Sequence, residues 1–511
     1  MSFGRVVIGG LCAVLTLGGA VVVVAAPAAA LACDPEGLTT RADIDGDGAA
    51  DVAVGMPWYQ DGSGAVDVRG TGSPSVLLRA GDLGAGTGEG DGFGAEIAVA
   101  DLDNDGCADL VIGAPAEGQS DASDGSGNNE GQVHIVFGRA GGVDTSTSIV
   151  LPHNSSNLDH FGSALALVAR WDEATSRMVH DLYVGAPRAT VAGHELAGEV
   201  FRYSIAPNPA SRVVATLREV RSQNSPGVPG SAENGDGFGS VLASTGIDGV
   251  LVGAPDENVG SVRDAGTMWF LRVDSAGEPI DSQSYSQNSP GVSGSAEVDD
   301  HFGAVLGSRG LVAVVGVPDE DSGSRADTGM IQTFRQRSEA QPLRPVKGIT
   351  QDTAGIPGTM ERGDRFGAAV AVGAALLCQE STDVAVGVPG EDVGTRKNAG
   401  TIAVIAVGLP ADCPAKALRQ GSGLAGAAES GDQVGTVLGL TRGRTDLEED
   451  YSDRLLIGVP NEDIGAQADA GLVQPARGGI TSNGVLHKSL TFSQGYLLTD
   501  HYGMVLATPA D

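Results

Sequence analysis

A short element, aliphatic-Gly-x-Pro, returns seven times along the chain: at Val54-Gly55-Met56-Pro57 and then at residues 112–115, 184–187, 252–255, 315–318, 386–389 and 457–460. A second element, aromatic-Gly followed by a short alternating apolar run, opens at Phe93-Gly94, Phe161-Gly162, Phe238-Gly239, Phe302-Gly303, Phe366-Gly367 and Tyr502-Gly503, with Val434-Gly435 as a copy lacking the aromatic ring. Each unit reads as an aromatic-Gly strand, a turn, a Gly-x-Pro strand, an acidic loop, an apolar strand such as 131–137 or 400–407, and a weaker fourth strand. The glycines suit a positive φ or a close approach between neighbouring units, and the proline ends its strand because it has no N–H to donate.

The two ends of the chain are complementary. The first Gly-x-Pro element has no aromatic-Gly strand before it, and the last aromatic-Gly strand, 502–506, has no Gly-x-Pro element after it. Joining the C-terminal strand to the first unit completes a ring without an open sheet edge at that place. The predicted fold is therefore all-β: a seven-bladed β-propeller of four-stranded blades, closed by the C-terminal strand in the first blade, over residues 33–511. With 78 Gly, 24 Pro and 4% aromatic residues, the composition agrees with many short apolar segments separated by turns.

A formal charge of -34 repels phosphate backbones and anionic headgroups, which argues against a nucleic-acid partner. Arg5, the apolar run 6–26 and Ala30-Leu31-Ala32 ahead of Cys33 read as an export signal over residues 1–32, so the mature chain is expected to be secreted. Lipidation of Cys33 is the disfavoured alternative, because Ala30 stands where a larger aliphatic is expected. No later segment is long and apolar enough to span a bilayer as a helix. Once Cys12 leaves with the signal, Cys33 with Cys107 and Cys378 with Cys413 is the preferred disulfide pairing, with free buried thiols as the alternative.

Two stretches carry the clearest chemistry. Asp43, Asp45, Asp47 and Asp51, and one blade later Asp101, Asp103, Asp105 and Asp109, both spell D-x-D-x-D-G-x-x-D immediately before a Gly-x-Pro strand. Carboxylates two apart around a glycine turn converge on one hard cation; the backbone carbonyl of Ala49 or Cys107 adds a ligand and the last Asp closes the site. An all-oxygen ligand set favours Ca2+ over zinc or copper. A metal-free Asp-Gly turn explains one or two of these acids, but not four. Asp181 and Asp383 keep only the closing acid, while the cluster Asp446, Glu448 and Asp450 lacks the glycine and has Arg454 in the closing position.

Phe93-Gly94, the loop 101–109 and Gly113-Ala114-Pro115 together resemble the FG-GAP repeat, the unit of the integrin α propeller, and the likeness extends from about residue 42 to the C-terminus. The resemblance implies calcium in the acidic loops on one face. It also implies that the loops after each Gly-x-Pro strand share the opposite face with those before each aromatic-Gly. Such propellers serve adhesion and surface recognition and in some chains accompany an enzyme domain.

No nucleophile elbow, zinc-binding helix or phosphate loop occurs in the chain. His160, His301 and His501 precede aromatic-Gly elements and follow the repeat, which favours packing or turn roles. The acids 256–258, 319–321, 391–392 and 462–463 recur after four Gly-x-Pro strands, and a role repeated so often is expected to be structural. Arg362-Gly363-Asp364 spells an integrin-recognition tripeptide, but its Gly-Asp belongs to the repeat. The reading is a secreted, calcium-binding, non-catalytic propeller that recognises an extracellular protein or glycan. The alternatives are a carbohydrate-active or esterase-like hydrolase using carboxylates near the central channel, and a structural envelope module.

Overall fold

Each repeat folds into one antiparallel sheet because its alternating apolar residues pack against both neighbouring sheets, while its turns carry glycine, proline and aspartate. The computed structural model describes residues 33, 42–70, 75–85, 88–118, 130–153, 159–172, 175–246, 249–274, 277–280, 282–338, 341–378, 381–407, 413–441, 453–464 and 469–477, with short strands at 16–17, 20–21, 481–482, 486–487, 505–506 and 508–509. Most of the segment 1–32 lies outside the described residues, as do Tyr502-Gly503, His501 and the cluster Asp446, Glu448 and Asp450.

Seven sheets form the ring. Blade 1 takes Val52–Met56, Ala65–Arg69 and Val76–Leu78. Its innermost strand, Val505–Leu506, pairs antiparallel with Val52–Met56 (Val54 opposite Leu506), so the C-terminal strand completes the first blade. Blade 2 runs Glu96–Ala100, Asp109–Ala114, Gln132–Arg139 and Gly142–Val150. Blade 3 follows from Ala164–Asp172 to Arg212–Arg221, blade 4 from Val241–Ser244 to Gln283–Tyr285, and blade 5 from Val305–Arg309 to Arg344–Ile349. Blades 6 and 7 open with Val370–Ala374 and Val437–Thr441, and each has a fifth short strand. Beyond the expected closure, Thr508–Pro509 continues onto blade 2, pairing parallel with Ala98 and Val99.

The two sequence elements meet at every blade junction. The Gly94 N–H donates to the Gly113 carbonyl of its own blade at 3.0 Å. The Gly94 carbonyl lies where a Cβ on Gly55 of the preceding blade would come within 2.1 Å; Gly162 stands in the same relation to Gly113, at 2.2 Å. Side chains at these positions would push the blades apart. The aromatic residue is the wedge: Phe161 is fully buried, donates its N–H to Glu130 of blade 2 and meets Phe201 of blade 3 edge-on, 5.2 Å between centroids. Burying one such ring contributes about 2–3 kcal/mol, and Phe93, Phe238, Phe302 and Phe366 are buried in the same way.

Cys33 is bonded to Cys107 and Cys378 to Cys413, with Cα separations of 5.1 and 6.4 Å, so the first bridge fastens the segment ahead of blade 1 to the acidic loop of blade 2. Among the described residues no helix is long and apolar enough to cross a membrane. Strand direction fixes the two faces of the ring. The connections between the first and second strands, including the aspartate loops, lie on one face; the aromatic-Gly turns and Gly-x-Pro ends lie on the other.

Candidate functional site

The structure brings three of the four aspartates of each D-x-D-x-D-G-x-x-D stretch together, with Asp47 and Asp105 outside the trios. Carboxylate oxygens of Asp43, Asp45 and Asp51 lie within 4.8 Å of one another, as do those of Asp101, Asp103 and Asp109, and either trio could hold a metal ion. The two loops have the same internal bonding. Asp43 accepts N–H bonds from Asp47 and Gly48 at 3.1 and 2.9 Å, and Asp101 accepts them from Asp105 and Gly106 at 3.1 and 3.0 Å. Asp47 accepts the Ala49 N–H and Asp105 the Cys107 N–H, so each of these residues is tied to the carboxylate two positions before it. Asp51 takes the Ile44 N–H at 2.7 Å and Asp109 the Leu102 N–H at 2.8 Å.

These bonds leave a surplus of negative charge in poorly solvated surroundings. Burial, reinforced by Asp45, pushes the Asp51 carboxyl up to about 8, and burial pushes Asp101 up to about 7. In the first loop Asp45 Oδ2 and Asp51 Oδ1 are buried without a hydrogen-bond partner. Orphaned carboxylate oxygens in an all-oxygen cluster suit a hard cation.

The degenerate loops hold their remaining acid in other ways. Asp181 pairs with Arg202 at 3.2 Å and Arg170 at 3.6 Å, and Asp383 accepts the Leu377 N–H and the Ser381 hydroxyl, both at 2.8 Å. In blade 7 the acid is Asp453, one residue before Arg454; it is buried and bound by the Ala374 N–H and by Arg309 at 2.7 Å.

On the opposite face the repeated acids divide into two roles. Asn258, Asp321, Asp392 and Asp463 each accept a backbone N–H from the residue six further on. Glu257, Glu320, Glu391 and Glu462 each accept a side-chain N–H from a glutamine of the preceding blade: Gln223, Gln287, Gln351 and Gln420, at 2.5–2.7 Å. Burial and neighbouring acids push Glu257 up to about 8 and Glu320 and Glu462 up to about 7. These glutamines were missed as site residues in the sequence, although they recur at nearly constant spacing ahead of aromatic-Gly. Asp364 of the Arg-Gly-Asp tripeptide is buried and accepts the Glu361 N–H, so that carboxylate serves the fold.

The residue before aromatic-Gly stands in the left-handed region in blade after blade: Gly92 and Gly237, but also His160 (φ 56°), His301 (57°), Arg365 (58°) and Gln433 (53°). His301, Arg365 and Gln433, with Asp256, Asp319 and Asn398, line an opening of about 530 Å³ on this face. His301 Nδ1 lies 3.0 Å from Asp319, which also pairs with Arg365 at 2.5 Å; Asn461 donates to Gln433 at 2.8 Å, and Arg188 meets His160 at 3.0 Å. The bond to Asp319 raises the His301 pKa; burial and the Arg188 charge lower that of His160.

A central channel of about 400 Å³ is walled by small and aliphatic residues of the innermost strands. Glu96 is the one titratable side chain among its described lining residues, and burial pushes its carboxyl up to about 8.

Comparison with known proteins agrees with this architecture. The FG-GAP repeat family model matches residues 93–136, which contain the aromatic-Gly strand, the second aspartate loop and the Gly-x-Pro strand. The chain is 28% identical to integrin alpha ina-1 of Caenorhabditis elegans over 34% of its length and 33% identical to integrin alpha-5 of Xenopus laevis over 21%. The chain is a seven-bladed propeller that carries an FG-GAP repeat and resembles that of integrin α chains. The propeller is also 27% identical, over 36% of this chain, to mouse phosphatidylinositol-glycan-specific phospholipase D. These matches span 15%, 10% and 22% of the respective relatives.

Proposed function

We propose that this FG-GAP propeller is a secreted, calcium-stabilised recognition module, exported by the signal at residues 1–32 and binding an extracellular protein or glycan through the face opposite its aspartate loops. The observation that carries the binding face is the ring of left-handed residues. Glycine adopts that backbone at no steric cost and serves in two blades, yet His160, His301, Arg365 and Gln433 carry side chains there, at about 1 kcal/mol each. Three of the four line the opening on that face, so the local strain coincides with a concave polar surface held by a rigid ring.

Calcium is the cation the loops suit best, with Asp43, Asp45, Asp47, Asp51 and the Ala49 carbonyl in the first, and Asp101, Asp103, Asp105, Asp109 and the Cys107 carbonyl in the second. Bound calcium neutralises acids that otherwise repel one another beside the first two blades. The hydrolase alternative draws on paired carboxylates in the channel, whereas the described lining supplies Glu96 alone.

The test is a triple substitution, His301→Gly, Arg365→Gly and Gln433→Gly, which suits the backbone while removing the side chains. Labelled wild-type protein is expected to bind saturably to an extracellular protein or glycan array, and the folded triple variant to lose that binding. Unchanged binding by the variant would place recognition elsewhere.

A further inference from the structure

We infer that the two aspartate loops are not equivalent: the guanidinium of Arg212, reaching over from blade 3, acts as a built-in counter-cation for the second loop, so that the first loop is the strong calcium site and the second a weak one gated by Arg212. The inference rests on the calcium reading above and concerns this chain's own residues.

The first loop has two buried oxygens without a partner, Asp45 Oδ2 and Asp51 Oδ1. Their counterparts in the second loop are Asp103 Oδ2 and Asp109 Oδ1, and both are engaged. Arg212 Nε donates to Asp103 Oδ2 at 2.5 Å, and the Gly138 N–H to Asp109 Oδ1 at 2.9 Å. Arg212 Nη2 also donates to Asp105 Oδ2 at 2.7 Å, and Asp144 lies 3.6 Å from its other amino group. Asp103 and Asp105 thus already face a cation, and the free oxygen of Asp109 is taken by a backbone N–H. A forked guanidinium with charge-assisted bonds to two carboxylates is a strong competitor for them.

Arg212 is held for this role. Its backbone is in the left-handed region, φ 63°, in the hairpin between the two outer strands of blade 3, and its guanidinium lies over the Phe137 ring, 4.5 Å from the centroid. Asn104 of the same loop donates to the Met178 carbonyl of blade 3 at 3.0 Å, so two bonds of different kinds fasten the loop to that blade. The next blade supplies a precedent: Arg202 and Arg170 neutralise Asp181 where the other loop acids are missing. The loops also touch through their backbones, Ala108 N–H donating to the Asp43 carbonyl at 2.7 Å, and Gly141 in the outer hairpin of blade 2 donates its N–H to the Asp45 carbonyl at 2.7 Å, so ordering one loop bears on the other.

The experiment is calorimetric titration of calcium into the chelator-treated full chain, with Asp45→Asn, Arg212→Gln and the double variant alongside. Wild type is expected to show one strong step and a second weaker by about tenfold or more. Asp45→Asn removes the strong step without touching Arg212, and Arg212→Gln strengthens the weak step by about tenfold. In chelator, Arg212→Gln melts at a lower temperature than wild type, and saturating calcium closes the gap. Two equal steps in wild type, or a strong step that survives Asp45→Asn, overturn the inference while calcium binding stands. No binding in any of the proteins overturns both.

Discussion

Replacing Gln420 by leucine isolates one of the polar links between blades. Gln420 is 3% exposed and donates to Glu462 Oε2 at 2.6 Å, and Glu462 is itself 9% exposed. Leucine preserves the volume but leaves a buried carboxylate without its donor, which costs about 1–3 kcal/mol. Unfolding entropy near the midpoint is about 2.1 cal/mol/K per residue, or roughly 1 kcal/mol/K for a chain of 511 residues, so the expected fall in Tm is about 1–3 °C. Scanning calorimetry in chelator resolves such a change. The loss should be larger at pH 8.5 than at pH 5.5, because Glu462 titrates near 7 and its protonated form is less costly to bury unpaired. Adding Glu462→Leu should recover most of the loss, since removing both partners removes the orphaned charge. A silent single variant, or a double variant that loses the sum of two independent costs, would refute the staple.

Other outcomes follow from the same structure. Glu257, Glu320, Asp364 and Glu462 all bind protons more tightly in the fold than in the unfolded chain, their folded values lying at about 7 to 8. Their contribution is complete below the ordinary carboxyl range and lost as pH rises through 7–8, so Tm in chelator should fall between pH 5.5 and 8.5; a rise over that interval contradicts the assignment. Gly253→Ala brings a Cβ within 2.3 Å of the Gly303 carbonyl of the next blade; it should destabilise the ring by about 3 kcal/mol or more, checked by melting or by yield of folded protein. Arg365→Gly should leave Tm unchanged or raise it slightly, because glycine relieves the left-handed strain; a large fall would make Arg365 a structural residue.

The ring was legible because its requirements are backbone requirements. Gly55, Gly94, Gly113 and Gly162 sit where two backbones touch, so they recur visibly in the sequence, and the missing strands at the two ends predicted the pairing of Val505–Leu506 with blade 1. The aspartate loops were legible for a similar reason, four acids being held in a fixed turn. The glutamine links were not recognised: Gln223 and its counterparts are common polar residues whose partners lie on another blade. Arg212 left no periodic signal, since it occurs once and reaches its loop across a blade boundary. The repeat register points to Arg454, one residue beyond the acid Asp453 that does the binding, and the pairing of Thr508–Pro509 with blade 2 follows no element of the repeat.

The central claim is that the aspartate loops bind calcium and that the propeller depends on it. The most direct measurement is thermal melting of the chelator-treated chain with and without calcium, paired with calorimetric titration of the same sample. At a hundredfold excess over Kd a single site adds about 2.7 kcal/mol, so Tm should rise by about 2–3 °C for the strong loop, with heat of binding to match. Identical melts and no heat would contradict the account, leaving the aspartates as turn residues and the proposed role of the metal without foundation.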